Sequence, residues 1–205
     1  MAHAGTAFKQ RNFRYYAAIS LNRIAKLDVA FPRRCFASTT TISENPPLFG
    51  GVSREFFLKI TTGIPFAKDF LHPVPNKLEK GEFSMSLPFR KELVGNPSVP
   101  CLHGGILAAM IDHVGGFAAW SMVDTNLKRV STVDLRIDYL NPAPCEEIHF
   151  DAVVAHKTNK LIRVDVVCWN NKRDKKIAIG RGLFNIYTVS VPLGEPAKTG
   201  HGHSN

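Results

Sequence analysis

The chain has 205 residues, 44% of them hydrophobic, and carries a formal net charge of +9. Its length allows one domain with extensions or two small domains. Residues 1–36 hold seven Lys and Arg and only one acid, so the remaining residues carry 19 bases and 16 acids, a net charge of +3. The larger part of the chain is therefore only mildly basic, which argues against a protein that binds nucleic acid.

Residues 1–36 have the composition of a mitochondrial transit peptide. They are rich in Arg and Lys, nearly free of acids and followed by a Ser/Thr run, and the Arg-Cys-Phe sequence ending at Phe36 resembles a matrix processing site. A disordered basic tail is the alternative, which explains the composition but not the sequence around Phe36. We therefore predict a transit peptide over 1–36 and a location in the mitochondrial matrix.

Residues 37–80 contain frequent Pro and Gly, which predict an N-terminal arm with one short helix over 52–60. Alternation of polar and apolar residues over 81–89 then predicts the first strand. We expect a single domain over 81–190, followed by a disordered tail over 191–205.

The most apolar segment, residues 102–123, contains a single acid, Asp112. Its length would suit a membrane span, but a central Asp costs about 2.5–3.5 kcal/mol on insertion scales, so we predict a buried helix. Apolarity on every side predicts that the domain encloses this helix. Gly115 and Gly116 predict close approach of another element, and His113 is predicted to be a packed histidine. A buried carboxylate is costly unless it is compensated, which makes Asp112 a candidate for chemistry.

Four alternating segments follow the helix and predict strands over 131–140, 147–156, 161–169 and 177–189. The predicted fold is therefore α+β: an antiparallel sheet, its last four strands a meander, wrapped around one long central helix. In the alternating pattern of its predicted strand, Thr132 falls on the same face as the charged residues. It is therefore expected to reach a site only at a strand end or across an interface.

Two sequence patterns carry a family resemblance. The segment HGGILAAMID, residues 103–112, opens the helix with His-Gly-Gly and places Asp112 nine residues after the His. The segment STVDLRIDYLNPAP, residues 131–144, has a hydroxyl residue near its start and then Tyr-x-x-Pro. Together they resemble the hotdog-fold thioesterases, in particular the branch of the phenylacetate-pathway enzymes and the single-hotdog acyl-CoA thioesterases. The resemblance spans residues 81–187.

The resemblance implies a hydrolase that cleaves the thioester of acyl-CoA to a free acid and CoA, without a cofactor or a metal ion. It also implies a homodimer or a dimer of dimers with active sites at the interface. The alternatives are a non-catalytic hotdog protein that binds acyl thioesters and a hotdog enoyl hydratase or dehydratase.

The same resemblance assigns roles to five residues. Asp112 would be the nucleophile or the general base that activates water. The N–H of Gly104 would stabilise the thioester oxygen, as helix N-termini can do, aided by the side-chain amide of Asn96. Asn96 stands seven residues before His103, whereas six is usual in the family. Thr132 would position the attacking water, and His103 would contact the substrate or the loop. A packed Asp, a strand Thr and a helix-start His are the structural alternatives.

Binding of CoA requires cations for its phosphates. Lys160 in a turn and Arg181 on the last strand are the candidates, and Gly105 would lie beside the substrate. Solvated surface charge is the alternative for both cations.

Overall fold

The structure of the protein, a computed structural model, describes residues 53–125 and 127–190. The transit peptide predicted over 1–36 and the tail predicted over 191–205 lie outside the described residues. No helix within the described ranges is both long and apolar enough to cross a membrane.

The described part of the chain contains two longer helices, two short helical turns and eight strands. Up to the central helix these are α1 (Arg54–Gly63), a π-helical turn (Phe66–Leu71), β1 (Val74–Glu79), β2 (Glu82–Leu87), a 3₁₀ turn (Lys91–Leu93), β3 (Val94–Asn96) and β4 (Cys101–Leu102). The central helix and the remaining strands are α2 (Gly104–Trp120), β5 (Lys128–Tyr139), β6 (Ile148–Lys157), β7 (Leu161–Trp169) and β8 (Lys176–Thr188).

Six strands form one antiparallel sheet in the order β1-β2-β6-β7-β8-β5, and α2 packs against it. The predicted architecture, a sheet with one long central helix, is confirmed. The predicted meander is wrong in one respect, because β5 pairs with β8 at the sheet edge while β2 lies beside β6. Alternation identifies strands but not their partners, since every strand offers the same backbone groups to either neighbour.

The first strand of the sheet lies in the segment predicted to be the arm. β1 pairs with β2 and has a register irregularity between Pro75 and Lys77. An edge strand tolerates proline because one row of its N–H groups has no neighbour to bind. The sheet therefore begins at Val74 rather than at the predicted boundary, Gly81.

The core lies between α2 and the sheet. Met110 and Ile111 of α2 are fully buried in the same cluster as Phe150 of β6. A Cβ on either Gly115 or Gly116 would lie 3.4 Å from the ring of Phe184, which confirms the predicted close approach. The backbone of α2 at these two glycines therefore lies directly against the Phe184 side chain of β8.

The helix is not enclosed on all sides by its own chain. A stripe of α2 residues with helical spacing remains exposed or half-buried, comprising Gly105, Ala108, Asp112 and Gly116. The prediction of full enclosure is therefore wrong for a single chain. Apolar residues on every face of a helix predict that each face is covered, but they do not indicate whether the covering residues belong to the same chain.

The tightest contact between sheet and helix gives a prediction for stability. A Cβ at Gly180 of β8 would lie 2.3 Å from Cγ2 of Ile111. Gly180→Ala is therefore expected to lower the free energy of unfolding by about 1–3 kcal/mol through overpacking. Gly63→Ala is the matched control, because its Cβ would meet no atom within 4 Å, and it should stay within about 0.5 kcal/mol of the parent. Denaturant unfolding of both variants measures the difference, and equal stability would contradict the tight contact.

Candidate active site

A β-bulge in β5 turns Thr132 toward the central helix. Thr132 pairs with Phe184 and Asp134 pairs with Leu183, so Val133 has no partner of its own. The extra residue shifts the alternation by one. Thr132 therefore lies on the helix side of the sheet, and the charged residues that follow point away. This explains how Thr132 reaches a site despite sharing its sequence alternation with charged residues.

Asp112 and Thr132 are in direct contact. The hydroxyl of Thr132 donates a hydrogen bond to Oδ1 of Asp112 at 2.8 Å. Oδ2 of Asp112 accepts none from the described residues. The side chain of Asp112 is half-buried on the partly exposed stripe of α2, so the carboxylate is held by one oxygen and keeps the other for a substrate or a water molecule.

A cavity of about 440 Å³ adjoins this pair. It lies among α1, α2, β5 and β8, and apolar side chains dominate its wall. The lining residues are Ile60, Ile64, Asp112, His113, Gly116, Phe117, Trp120, Arg129, Val130, Ser131, Thr132, Phe184 and Tyr187. A concave, mostly apolar space with a few polar groups is typical of a small-molecule site, and Asp112 and Thr132 are among the polar groups of this one.

The start of α2 contains a backbone donor that can serve a ligand, the N–H of Gly104. Nδ1 of His103 accepts a hydrogen bond from the N–H of Gly105 at 3.0 Å, so His103 caps the helix. Within the described residues, no group accepts a hydrogen bond from the N–H of Gly104. This donor has the position and the favourable helix dipole that an oxyanion requires.

Tyr139 also lies at this end of the helix, and it is not among the predicted site residues. Its hydroxyl donates to the carbonyl of Gly104 at 2.9 Å, and a Cβ at Gly104 would lie 3.4 Å from its ring. The signal was present in the sequence, because Tyr139 is the Tyr of the Tyr-x-x-Pro pattern. Its contact fixes the first turn of α2 against the end of β5.

Asn96 lies near the start of α2, although it stands one residue farther from His103 than is usual in the family. It pairs with Cys101 in the β3-β4 ribbon, and the carbonyl of Leu93 accepts from the N–H of His103 at 2.8 Å. Oδ1 of Asn96 accepts from the N–H of Ser98 at 2.9 Å. The side-chain NH₂ group is not used in that bond and stays available as a donor.

The site residues fall into two groups within one chain. Thr132 and Asp112 form one group, and Gly104, Tyr139 and His103 form the other. Asp112 follows Gly104 by eight residues, which corresponds to ~12 Å along a helix. A single chain therefore cannot direct the N–H of Gly104 and the carboxylate of Asp112 at the same carbonyl group.

The two cations predicted to bind CoA phosphates lie outside the cavity. Arg181 is on the face of β8 opposite α2, since its neighbour Gly180 contacts the helix, and its Nε lies 3.0 Å from Oδ1 of Asp165. Lys160 is exposed in the turn between β6 and β7. Neither residue lines the cavity. In the described ranges, no cluster of three or more His, Cys, Asp or Glu could hold a metal ion.

His113 is a packed histidine, as predicted. Its exposed fraction is 8%, and its ring contacts that of Phe117 edge-on with centroids 4.9 Å apart. Burial lowers the pKa of His113 below the usual 6.5, and the Thr61 backbone and the charge of Asp112 oppose this effect without cancelling it. The imidazole is therefore buried in its neutral form.

The lowered pKa of His113 predicts how stability depends on pH. Below pH 6.5 the unfolded chain binds a proton that the folded chain resists, so the free energy of unfolding should fall as the pH drops. His113→Phe should remove this part of the decline between pH 7.5 and pH 5, whereas His156→Gln, at an exposed position, should not. Urea unfolding at both pH values tests this, and parallel losses in the parent and His113→Phe would refute it.

Comparison with known proteins agrees with this fold and with the resemblance. A sequence model of the thioesterase superfamily matches residues 101–177. A Halobacterium salinarum protein named as a candidate esterase is 32% identical over 113 residues, which cover 52% of this chain and 75% of that protein.

Solved structures show the same fold. A thioesterase family protein from Silicibacter pomeroyi has a TM-score of 0.56 at 21% identity and covers 65% of this chain and 99% of its own. A Streptococcus mutans protein bound to acetyl CoA has a TM-score of 0.52 at 18% identity and covers 58% of this chain and 91% of its own. With these matches added to the His-Gly-Gly helix start and to the sheet around α2, the chain belongs to the thioesterase superfamily and has the hotdog fold.

Proposed function

We propose that the protein hydrolyses acyl-CoA thioesters to a free acid and CoA. The contact between Thr132 and Asp112, at the wall of an apolar cavity, is the observation that carries the proposal. A carboxylate whose second oxygen accepts no hydrogen bond from the described residues thus lies beside a space that suits an acyl chain. Membership of the thioesterase superfamily supports the same reaction class.

Two routes are compatible with this geometry. As a general base, Asp112 takes a proton from water while the water oxygen attacks the thioester carbonyl carbon. The tetrahedral intermediate then breaks its carbon–sulfur bond, and the proton passes from Asp112 to the CoA sulfur. As a nucleophile, Asp112 attacks the same carbon, expels CoA and forms an anhydride that water hydrolyses. In both routes the hydroxyl of Thr132 orients the carboxylate.

The proposed active unit is a dimer in which each site uses two chains. Gly104 and Asp112 are ~12 Å apart along one helix, so the N–H that stabilises the oxyanion would come from the partner subunit. The partly exposed stripe on α2 and the edge strand β5 are the surfaces that a second copy would cover. Exposed Val133 and Tyr139 on β5 add apolar area to that edge.

A hydrolysis screen tests the proposed reaction. Release of the CoA thiol would be followed with short-, medium- and long-chain, aromatic and α,β-unsaturated acyl-CoAs, with identification of the acid product. We expect turnover of at least one class above the uncatalysed rate. Binding without thiol release would favour the non-catalytic alternative, and hydration of the unsaturated substrate would favour a hydratase.

We also propose that the protein functions in the mitochondrial matrix. The support is the basic, acid-poor composition of residues 1–36 and the Arg-Cys-Phe sequence that precedes Ala37. Protein recovered from mitochondria should begin near Ala37. An intact Met1 or a cytosolic location would contradict the proposal.

A further inference from the structure

The cavity beside Asp112 has a positively charged group at its other end. Along α2 the lining runs from Asp112 to Trp120, and along β5 it runs back from Thr132 to Arg129. The guanidinium carbon of Arg129 lies 5.4 Å from the centre of the Trp120 ring. The two paths give similar separations between the backbone positions at the two ends, ~12 Å by helix rise and ~10 Å by strand rise.

Arg129 is held in place by neutral groups. One of its terminal nitrogens donates to the carbonyl of Thr125 at 2.6 Å and to the carbonyl of Lys128 at 2.9 Å. The carbonyl of Lys128 also accepts from Nε1 of Trp120 at 3.0 Å, which fixes the ring on which the guanidinium lies. The side chain is half-buried, so its position is constrained by the protein rather than by solvent.

Among the described residues, Arg129 forms no ion pair, since none of their carboxylates lies within ion-pair distance of it. Of the described residues that line the cavity, Asp112 at the opposite end is the one acid. Within the described residues, Nε and the second terminal nitrogen of Arg129 donate no hydrogen bond, and these two nitrogens have the planar arrangement that binds a carboxylate through two hydrogen bonds.

We propose that Arg129 selects acyl chains that carry a carboxylate at the end remote from the thioester. This inference rests on the proposed thioesterase function, because it uses Asp112 to fix the reactive end of the substrate. A terminal methyl group would displace water from the guanidinium without replacing its hydrogen bonds. A terminal carboxylate would restore them and neutralise the charge. The separation of the two ends calls for a chain of medium length.

The test compares octanoyl-CoA with suberoyl-CoA, its counterpart with a terminal carboxylate. The parent should show a kcat/KM for suberoyl-CoA about tenfold or more above that for octanoyl-CoA, as for a charge-assisted hydrogen bond. Arg129→Gln should remove this ratio and Arg129→Lys should keep part of it. Arg163→Gln, which removes an exposed cation from β7, should leave the ratio as in the parent.

Several outcomes would overturn the inference. The inference is wrong if the parent has the same kcat/KM for octanoyl-CoA and suberoyl-CoA. It is also wrong if Arg129→Gln lowers both rates by the same factor, which is the result expected of a purely structural arginine. If Arg129→Gln fails to fold, the ratio in the parent and in Arg129→Lys decides. If the parent hydrolyses no thioester, the proposed function fails instead. Calorimetric binding of octanoate and its neutral analogue octanamide then tests Arg129: a preference for octanoate that Arg129→Gln abolishes supports the inference, and equal binding, or a preference that Arg129→Gln keeps, overturns it.

Discussion

Replacing Asp112 with Asn is expected to lower kcat for acyl-CoA hydrolysis by about 10²–10⁴-fold, the usual contribution of a positioned acid–base group. The amide has nearly the shape of the carboxylate, and its oxygen can still accept the hydrogen bond from Thr132, so the fold should survive. What is lost is the ability to take a proton or to attack carbon. Steady-state kinetics with the best substrate of the screen gives the measurement.

A second aspartate on the same part of the structure provides the control. Asp134 follows the bulge of β5 and is exposed on the face away from α2. Asp134→Asn removes the same charge without touching the cavity and should keep parental kinetics. A parental rate in Asp112→Asn would contradict the assignment of either catalytic role to Asp112.

The two possible roles of Asp112 can then be separated chemically. The nucleophile route passes through an aspartyl anhydride, which borohydride reduces to the homoserine side chain during turnover. Mass spectrometry of the peptide containing Asp112 would detect that change. The general-base route leaves the side chain intact, so an unmodified peptide from an enzyme that turns over under the same conditions favours the base.

The main elements of this fold are readable from the sequence because burial leaves a periodic signal. The apolar run over 102–123 contains α2, Gly104–Trp120, and the four later strands lie close to their predicted bounds. β1 falls in the segment predicted to be an arm because Pro73 before it and Pro75 within it are typical of a loop, although an edge strand accepts proline. Pairing order is absent from any local pattern, which is why the position of β5 beside β8 could not be predicted.

The site shows a sharper limit of sequence reasoning. Asp112 and Thr132 are both predicted site residues, but in a strand without a bulge Thr132 would lie on the same face as the charged residues, away from α2. The correction comes from the extra residue at Val133, and a bulge in a run of β-branched residues carries no marker in the sequence. Lys160 and Arg181 carry the charge that CoA phosphates require and lie outside the cavity, so their contact with CoA stays a prediction.

Replacing Gly104 with Pro is expected to lower kcat by about 10²–10³-fold, the usual loss when one oxyanion donor is removed. Gly104 is the first residue of α2, where proline is well tolerated, and His103 before it is extended, with φ −66° and ψ 130°, as the residue preceding a proline should be. The change therefore deletes one N–H with little effect on the helix. Gly104→Ala is the control, since it keeps the N–H and adds a Cβ 3.4 Å from Tyr139, and it should retain most of the activity.

Combining the two inactive variants tests whether a site uses two chains. In a mixed dimer of Asp112→Asn and Gly104→Pro, one of the two sites receives an intact Asp112 from one chain and an intact Gly104 N–H from the other. Random association makes half of the dimers mixed, so co-expression should restore about one quarter of the parental activity per dimer. Sites built within single chains would leave the mixture as inactive as its components. Recovery would therefore show that the ~12 Å between Gly104 and Asp112 on one helix is bridged by the helix of a second subunit.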